Sequence, residues 1–115
     1  MSINRLIISG NLTRDPELRE TKTGVPVLAM TVAFNDSVKG ENGTYQQYAN
    51  FIDVAMFGAS AKNIHPYLHK AQHVTLDGKL RYQTFEKNGE TRSKLEMVAS
   101  DIDFQGTPMK DDAHA

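Results

Sequence analysis

One stretch, VTLDGKLRYQTFEKNGE from Val74 to Glu90, constrains the fold more than any other part of the chain. Its side chains alternate with a period of two, which is typical of a β-strand with one buried face. The set predicted to face the core is Val74, Leu76, Gly78, Leu80 and Tyr82. The set predicted to face solvent is Thr75, Asp77, Lys79, Arg81, Gln83 and Phe85.

Three details of this stretch predict its local geometry and its use. Gly78 predicts a bulge where the sheet curls, because a glycine in a strand adds no side chain to the packing. Asn88 and Gly89 predict a type I′ hairpin turn, since both residues tolerate positive φ. Phe85 is an aromatic residue on the face predicted to be exposed to solvent. A surface on which nucleic-acid bases stack would explain an exposed ring at this position.

Length and composition narrow the class of protein. The 115 residues suffice for one domain, and one core at this size buries roughly two-thirds of the unfolded surface. There is no cysteine, which excludes disulfides and thiolate metal sites. The net charge is −1, so any nucleic-acid binding depends on local placement of charge. No apolar run approaches the ~20 residues of a membrane span, and we expect a cytoplasmic, nucleoid-associated protein.

The order of predicted elements indicates the fold class. Strands are predicted at 3–12, 25–35, 46–57, in the stretch after residue 74, and at 91–104. Residues 11–24 are rich in turn residues and charges, and are interpreted as a solvated loop.

Residues 58–71 are the only helix candidate, with Ser60 as a possible cap. Pro66 predicts a short, kinked or two-piece helix. An all-β chain of five strands, with one helix between the third and fourth, is typical of the oligonucleotide-binding (OB) barrel. We expect this domain to occupy residues 1–106, followed by a short disordered polar tail at 107–115.

Three phenylalanines, Phe51, Phe57 and Phe85, follow the parity opposite to the aliphatic residues of their strands. Stacking contributes about 1–3 kcal/mol per base, so three rings beside cations suffice to hold a nucleic-acid strand. The alternative is that such rings lie under loops or at oligomer contacts, and the pattern alone leaves both interpretations open. Five cationic residues lie near Phe85 on the last two strands and their turn. An ordinary exposed hairpin also carries charges, but the position of these cations around an aromatic ring favours contact with phosphates. The five cations are Lys79, Arg81, Lys87, Arg92 and Lys94.

Enzyme and metal functions have little support. His65, His69 and His73 are spaced four apart, but Pro66 interrupts the first interval and a surface helix accounts for them better. Four aspartates suit the ligand chemistry of a two-metal nuclease, although no local motif brings them together: Asp53, Asp77, Asp101 and Asp103. No phosphate-binding glycine loop occurs. We expect no catalytic activity, no cofactor and no metal.

Over residues 3 to 106 the chain resembles the bacterial-type single-stranded DNA-binding proteins. The matching passages are Gly10-Asn11-Leu12, Asp15-Pro16-Glu17 with Arg19, Asn50 to Gly58 (NFIDVAMFG), Tyr67-Leu68 with Lys70, and Val74 to Arg81 (VTLDGKLR). Their order and spacing fit throughout, and the series is much more specific than any single match.

The resemblance implies a barrel that binds single-stranded DNA without sequence preference during replication, recombination and repair, and a homotetramer. The family's stacking positions fall on Phe51, Phe57 and Phe85, and family members often carry Trp at the first and last of these. A further aromatic position falls on Val38, which cannot stack. The family's basic positions include Arg5, Arg19, Arg81 and Arg92.

The end of the chain departs from the family pattern. Members commonly end in a flexible segment with an acidic, hydrophobic-tipped terminus that recruits replication and repair proteins, whereas this chain ends DDAHA at residues 111–115. We therefore do not expect recruitment through the tail; a truncated, a phage-encoded or a specialised member all fit this departure. The alternative function is a primosome-like adaptor that binds partner proteins first and DNA weakly.

Overall fold

The structure is a computed structural model that describes residues 2–104, so the predicted tail lies outside the described residues. Its strands are β1 (Leu6–Leu12), β2 (Glu17–Glu20), β3 (Pro26–Lys39), β4 (Tyr45–Phe57), β5 (His73–Lys87) and β6 (Glu90–Phe104). Between β4 and β5 lie the helix α1 (Ala59–Ile64) and a 3₁₀ turn at His65–Tyr67.

The strands form one sheet in the order β1-β5-β6-β4-β3-β2, and β1 also pairs with β3, which closes the sheet into a barrel. The β4–β6 pair is parallel, and the other neighbouring pairs are antiparallel. This is the OB order of strands, so the predicted all-β fold is confirmed, as are its five main strands.

The hydrophobic core fills the closed barrel and has residues from β1, β3, β4, β5 and β6. In β1, β3 and the first half of β5, alternate side chains point into the core, as their period of two requires. The side chains with almost no exposure are Leu12, Leu28, Met30, Val32, Val74, Leu76 and Met97. Ala61 from α1 and Leu68 after the 3₁₀ turn belong to the same cluster, so the helical segment covers one end of the barrel.

The interpretation of residues 11–24 as a loop was wrong at Glu17–Glu20, which form the additional strand β2. The sequence ELRE has no alternation of apolar and polar side chains that would predict a strand. All four of its residues are exposed. The segment is a strand because it pairs along the edge of β3, from Glu17 opposite Ala29 to Glu20 opposite Pro26. Pairing with a neighbour, and not burial, makes it a strand.

The predicted two-piece helix is confirmed, and Pro66 lies in the first turn of the 3₁₀ segment, where no N–H is needed. The prediction that Ser60 caps the helix was wrong, because Gly58 is the N-cap and no side-chain hydrogen bond caps α1. The Gly58 N–H donates instead to the Pro26 carbonyl oxygen at 2.9 Å, which ties the start of the helix to β3. In the described part of the chain no helix is both long and apolar enough to span a bilayer.

The β5–β6 hairpin has the predicted turn and bulge. Asn88 and Gly89 both have positive φ, 54° and 80°, as a type I′ turn requires. Asp77 pairs with Asp101 and Gly78 with Ala99, so the extra residue of the bulge, Ser100, is on β6. A Cβ at position 78 would lie 2.1 Å from the carbonyl oxygen of Val98, so this close strand crossing requires glycine.

Leu80 and Tyr82 were predicted to be core residues, and this was wrong, because both are exposed. The pairing of β1 with β5 ends at Gly78, and that of β4 with β6 covers only residues 97–99 of β6. The hairpin therefore extends beyond the barrel, where side chains of the inner parity have no opposite sheet to pack against. Leu95, opposite Tyr82, is exposed for the same reason.

Candidate nucleic-acid interface

Two of the three predicted rings lie on one face of β4. Phe51 and Phe57 are an even number of residues apart, so they point to the same side of the strand, roughly 20 Å from one another at ~3.3 Å per residue. Phe51 is opposite Ala33 of β3 and is 66% exposed, and Phe57, opposite Val27, is also exposed. The weak burial of Phe51 leaves its ring exposed to solvent, and part of the Phe57 ring is exposed as well.

Arg81 of β5 reaches across to Phe57 of β4. Its guanidinium carbon lies 5.4 Å from the centre of the Phe57 ring, within the ~6 Å of a cation–π contact. Arg81 also forms an ion pair with Glu96, its cross-strand neighbour on β6. The Arg81 Nε–H is buried and, among the residues that the structure describes, finds no hydrogen-bond acceptor.

Lys94 of β6 connects Glu96 to Asp53 of β4 through two further ion pairs. Lys94 Nζ lies 3.5 Å from Asp53 Oδ2 and 3.9 Å from Glu96 Oε2. The side chain of Glu96 is only 8% exposed, as a buried carboxylate can be when cations pair with it. Asp53, Lys94, Glu96 and Arg81 thus form one chain of ion pairs that ends on the Phe57 ring.

These residues line one groove, which we call the binding groove. Its charged and aromatic lining is Arg14, Arg19, Asp53, Phe57, Arg81, Lys94 and Glu96. Cations outnumber carboxylates in this lining two to one, although the whole chain has a net charge of −1. The volume of about 280 Å³ is just below the ~300–1,000 Å³ of small-molecule sites. The groove suits an extended anionic ligand that crosses it.

Glu17 neutralises part of the cationic charge at the β2 side. Its carboxylate accepts hydrogen bonds from Arg19 Nε at 3.0 Å and from Arg14 at 3.3 Å. The hydrogen bond from Arg19, and then the charge of Arg19, hold the pKa of Glu17 below its usual value. Glu17 therefore stays ionised throughout the neutral range, and its pairing with Arg19 weakens only as pH falls through that lowered pKa.

The remaining predicted contacts lie outside the groove. Phe85 has the same parity on β5 as Arg81, so it lies on the same face, and its cross-strand neighbour is Arg92. Arg92 is 3.6 Å from Glu90, which is opposite Lys87 next to the turn.

Arg5 and Lys79 line a second cavity of about 580 Å³ beside the Gly78 bulge. There Arg5 donates a 2.8 Å hydrogen bond to Asp77. Of the predicted site residues, the structure thus brings Arg19, Phe57, Arg81 and Lys94 together, and places Arg5 and Lys79 elsewhere.

Arg14, Asp53 and Glu96 line the groove but were missed as binding residues from the sequence. Arg14 lies in the segment interpreted as a loop, and its guanidinium pairs with Glu17 of β2. Asp53 and Glu96 meet Lys94 because β6 lies between β4 and β5 in the sheet. No local spacing carries that information.

Two of the histidines contact other segments of the chain, and the four aspartates form no metal-binding cluster among the described residues. His65 Nε2 is 3.2 Å from the Pro16 carbonyl oxygen, and His73 Nδ1 is 3.2 Å from Asn11 Oδ1. Asp77 and Asp101 are cross-strand neighbours, whereas Asp53 faces Lys94. Within residues 2–104 no three His, Asp or Glu side chains gather as a metal site would require.

Val38 lies near the end of β3, opposite Gln46, and is exposed. The adjacent residue pair on the same face is Asp36 and Tyr48, and Tyr48 is also exposed. An aliphatic side chain therefore occupies the position where the family resemblance implies a ring.

The fold and the groove together define an OB-barrel protein with a basic, aromatic ligand surface. The sequence profile of the Single-strand binding protein family matches residues 3–105, and the chain belongs to that family.

Relatives include the single-stranded DNA-binding protein 1 of Staphylococcus aureus strain MSSA476, 38% identical over 111 residues, which cover 96% of this chain and 70% of that protein. The single-stranded DNA-binding protein of Aquifex aeolicus is 31% identical over 106 residues, which cover 92% of this chain and 72% of that protein.

Solved structures agree with this membership. The wild-type single-stranded DNA binding protein from Thermus aquaticus aligns with a TM-score of 0.79 and 29% identity, over 90% of this chain and 50% of that chain. A Plasmodium falciparum SSB complex with ssDNA aligns with a TM-score of 0.83, over 91% of this chain and 97% of that chain. At 18% identity, this second similarity concerns the fold alone.

Proposed function

We propose that this protein binds single-stranded DNA without sequence preference, and coats and protects it during replication, recombination and repair. The observation that carries the proposal is the contact of Arg81 with Phe57 inside a groove of cations. Family membership adds to it, because the relatives described above are named for single-stranded DNA binding. These names do not favour the alternative of an adaptor that binds partner proteins first.

Binding would combine base stacking with phosphate contact. Bases stack on Phe51, Phe57 and Phe85, and the stacking tolerates any sequence because every base has a π face. Arg81 lies beside the Phe57 ring, and Arg19 and Lys94 line the same groove. There the three cations would meet the phosphates that flank a stacked base. Neither step breaks or forms a covalent bond, so we assign the protein no catalytic role.

The cations outside the groove would extend the path of the DNA backbone. Arg92 and Lys87 lie on the hairpin that carries Phe85. Lys79 lies two residues from Arg81 along β5 and on the same face, and Arg5 lines the second cavity with Lys79. Since these residues do not line the groove that contains Phe57, we expect each to contribute less to binding than Arg81.

We also propose that the protein assembles as a homotetramer. Leu80, Tyr82 and Leu95 expose apolar surface on the hairpin side opposite Arg81. Exposed apolar patches often mark protein–protein contacts, and burying this one would leave the stacking face free. Light scattering should give four times the 12.8 kDa chain mass. A mass of one chain at micromolar concentration would contradict the assembly.

The DNA-binding proposal is tested by fluorescence anisotropy with labelled oligo(dT), a mixed-sequence oligonucleotide of equal length, and the matching duplex. At moderate salt we expect the two single strands to bind with similar affinity, and both much more tightly than the duplex. Equal affinity for single-stranded and duplex DNA would refute the proposal, because a duplex hides the base faces.

A further inference from the structure

We propose that Asp53 is a built-in counter-charge of the binding groove: it holds Lys94 in the free protein, and a DNA phosphate replaces it. This inference rests on the proposed function. In it, Asp53 limits how strongly the binding groove attracts phosphate. It also assigns Asp53 a part in discriminating single-stranded from duplex DNA.

Lys94 lies between two carboxylates of unequal accessibility. Its Nζ is 3.5 Å from Asp53 Oδ2 and 3.9 Å from Glu96 Oε2. Glu96 is nearly buried and already paired with Arg81, whereas the Asp53 side chain is 52% exposed. An incoming phosphate therefore reaches the Lys94–Asp53 pair, and Glu96 stays in place behind it.

Asp53 is held in position by a second contact. The hydroxyl of Thr31, its neighbour on β3, donates a 2.9 Å hydrogen bond to Asp53 Oδ1. The other carboxylate oxygen, Oδ2, is the one nearest Lys94. Because Thr31 fixes the carboxylate, Asp53 remains in the groove lining when a ligand takes Lys94 away.

A phosphate that contacts Lys94 must then lie close to Asp53. Two like charges about 4 Å apart in water reduce affinity by roughly fivefold. A duplex carries more phosphates per unit length than a single strand. Each phosphate contact also changes the slope of log K against log salt by more, about 0.9 for a duplex and about 0.7 for a single strand. A fixed carboxylate therefore penalises duplex DNA more than a flexible strand held mainly by stacking.

The test compares Asp53→Asn with Asp103→Asn, which removes the same charge at the far end of β6, opposite Thr75 and away from the groove. We expect Asp53→Asn to bind labelled oligo(dT) about fivefold more tightly at ~0.1 M salt. The slope of log K against log salt should steepen by about 0.7. In the unsubstituted protein the displaced Asp53 takes up a salt cation, which offsets the cation that the phosphate releases, and an Asn side chain takes up none. Duplex affinity should rise by a larger factor, and Asp103→Asn should change none of these values.

Lys94→Gln, alone and combined with Asp53→Asn, shows whether the effect passes through Lys94. In the double variant the extra slope should disappear. Asp53→Ala, with folding checked by thermal melting, is a second variant that should reproduce the gain. Equal behaviour of Asp53→Asn and Asp103→Asn, or a steeper slope that persists without Lys94, would overturn the inference. Failure of the unsubstituted protein to bind oligo(dT) would instead refute the proposed function itself.

Discussion

Replacing Phe51 by alanine separates DNA binding from folding, because most of this ring is exposed. A fully buried phenylalanine removes ~150–250 Å² from water, and Phe51 is only about one-third buried. At ~25 cal/mol per Å², its loss should cost at most about 2 kcal/mol of folding free energy. Loss of one stacked base should cost about 1–3 kcal/mol of binding free energy, which raises Kd for oligo(dT) by roughly 5- to 150-fold.

The assay is an anisotropy titration of labelled oligo(dT) at fixed salt, with thermal melting to verify the fold. Tyr82→Ala is the matched control, because Tyr82 is 65% exposed, against 66% for Phe51, but lies on the opposite side of the hairpin from Arg81. We expect that control to keep its DNA affinity, and light scattering should accompany it because Tyr82 belongs to the proposed assembly surface. Phe85→Ala should weaken binding as Phe51→Ala does.

Unchanged affinity in both Phe51→Ala and Phe85→Ala would refute the stacking model. If Tyr82→Ala weakened DNA binding as much as Phe51→Ala, without a change in assembly, exposed rings would contribute to binding whichever face of the sheet they occupy.

Three other substitutions test separate parts of the account. Arg81→Ala should flatten the slope of log K against log salt by about 0.7, whereas Arg81→Lys should keep the slope; an unchanged slope in the alanine variant would exclude Arg81 from phosphate contact. Val38→Trp adds a ring at an exposed position and should lower Kd for oligo(dT) at least about fivefold; no gain would mean that DNA does not pass this end of β3. Gly78→Ala places a Cβ 2.1 Å from a backbone oxygen and should destabilise the fold by about 1–3 kcal/mol in urea unfolding; an unchanged midpoint would show that the bulge yields easily.

The alternation of side chains predicted strands and faces well, because a period of two is a local property of the chain. Val74 and Leu76 are buried as expected, and the turn at Asn88-Gly89 follows from backbone preferences of those two residues. The same alternation failed at Leu80 and Tyr82, since parity gives the face of a side chain but not the length of the barrel behind it.

Features that depend on the neighbouring strand were not predictable from the sequence. The segment Glu17–Glu20 becomes a strand only by pairing with β3. Parity placed Phe51 and Phe57 on the exposed face of β4, and Phe57 lines the binding groove. It did not reveal that Asp53 and Glu96 bracket Lys94, because that contact requires β6 to lie between β4 and β5.

The central claim, that bases stack on the exposed rings, is tested most directly by photo-cross-linking. An oligonucleotide carrying 5-iodouracil is bound, irradiated with ultraviolet light, and its attachment sites are mapped by mass spectrometry. The account predicts cross-links at Phe51, Phe57 and Phe85. Cross-links confined to Tyr82 and its neighbours on the opposite side of the hairpin, with none at the three phenylalanines, would contradict it.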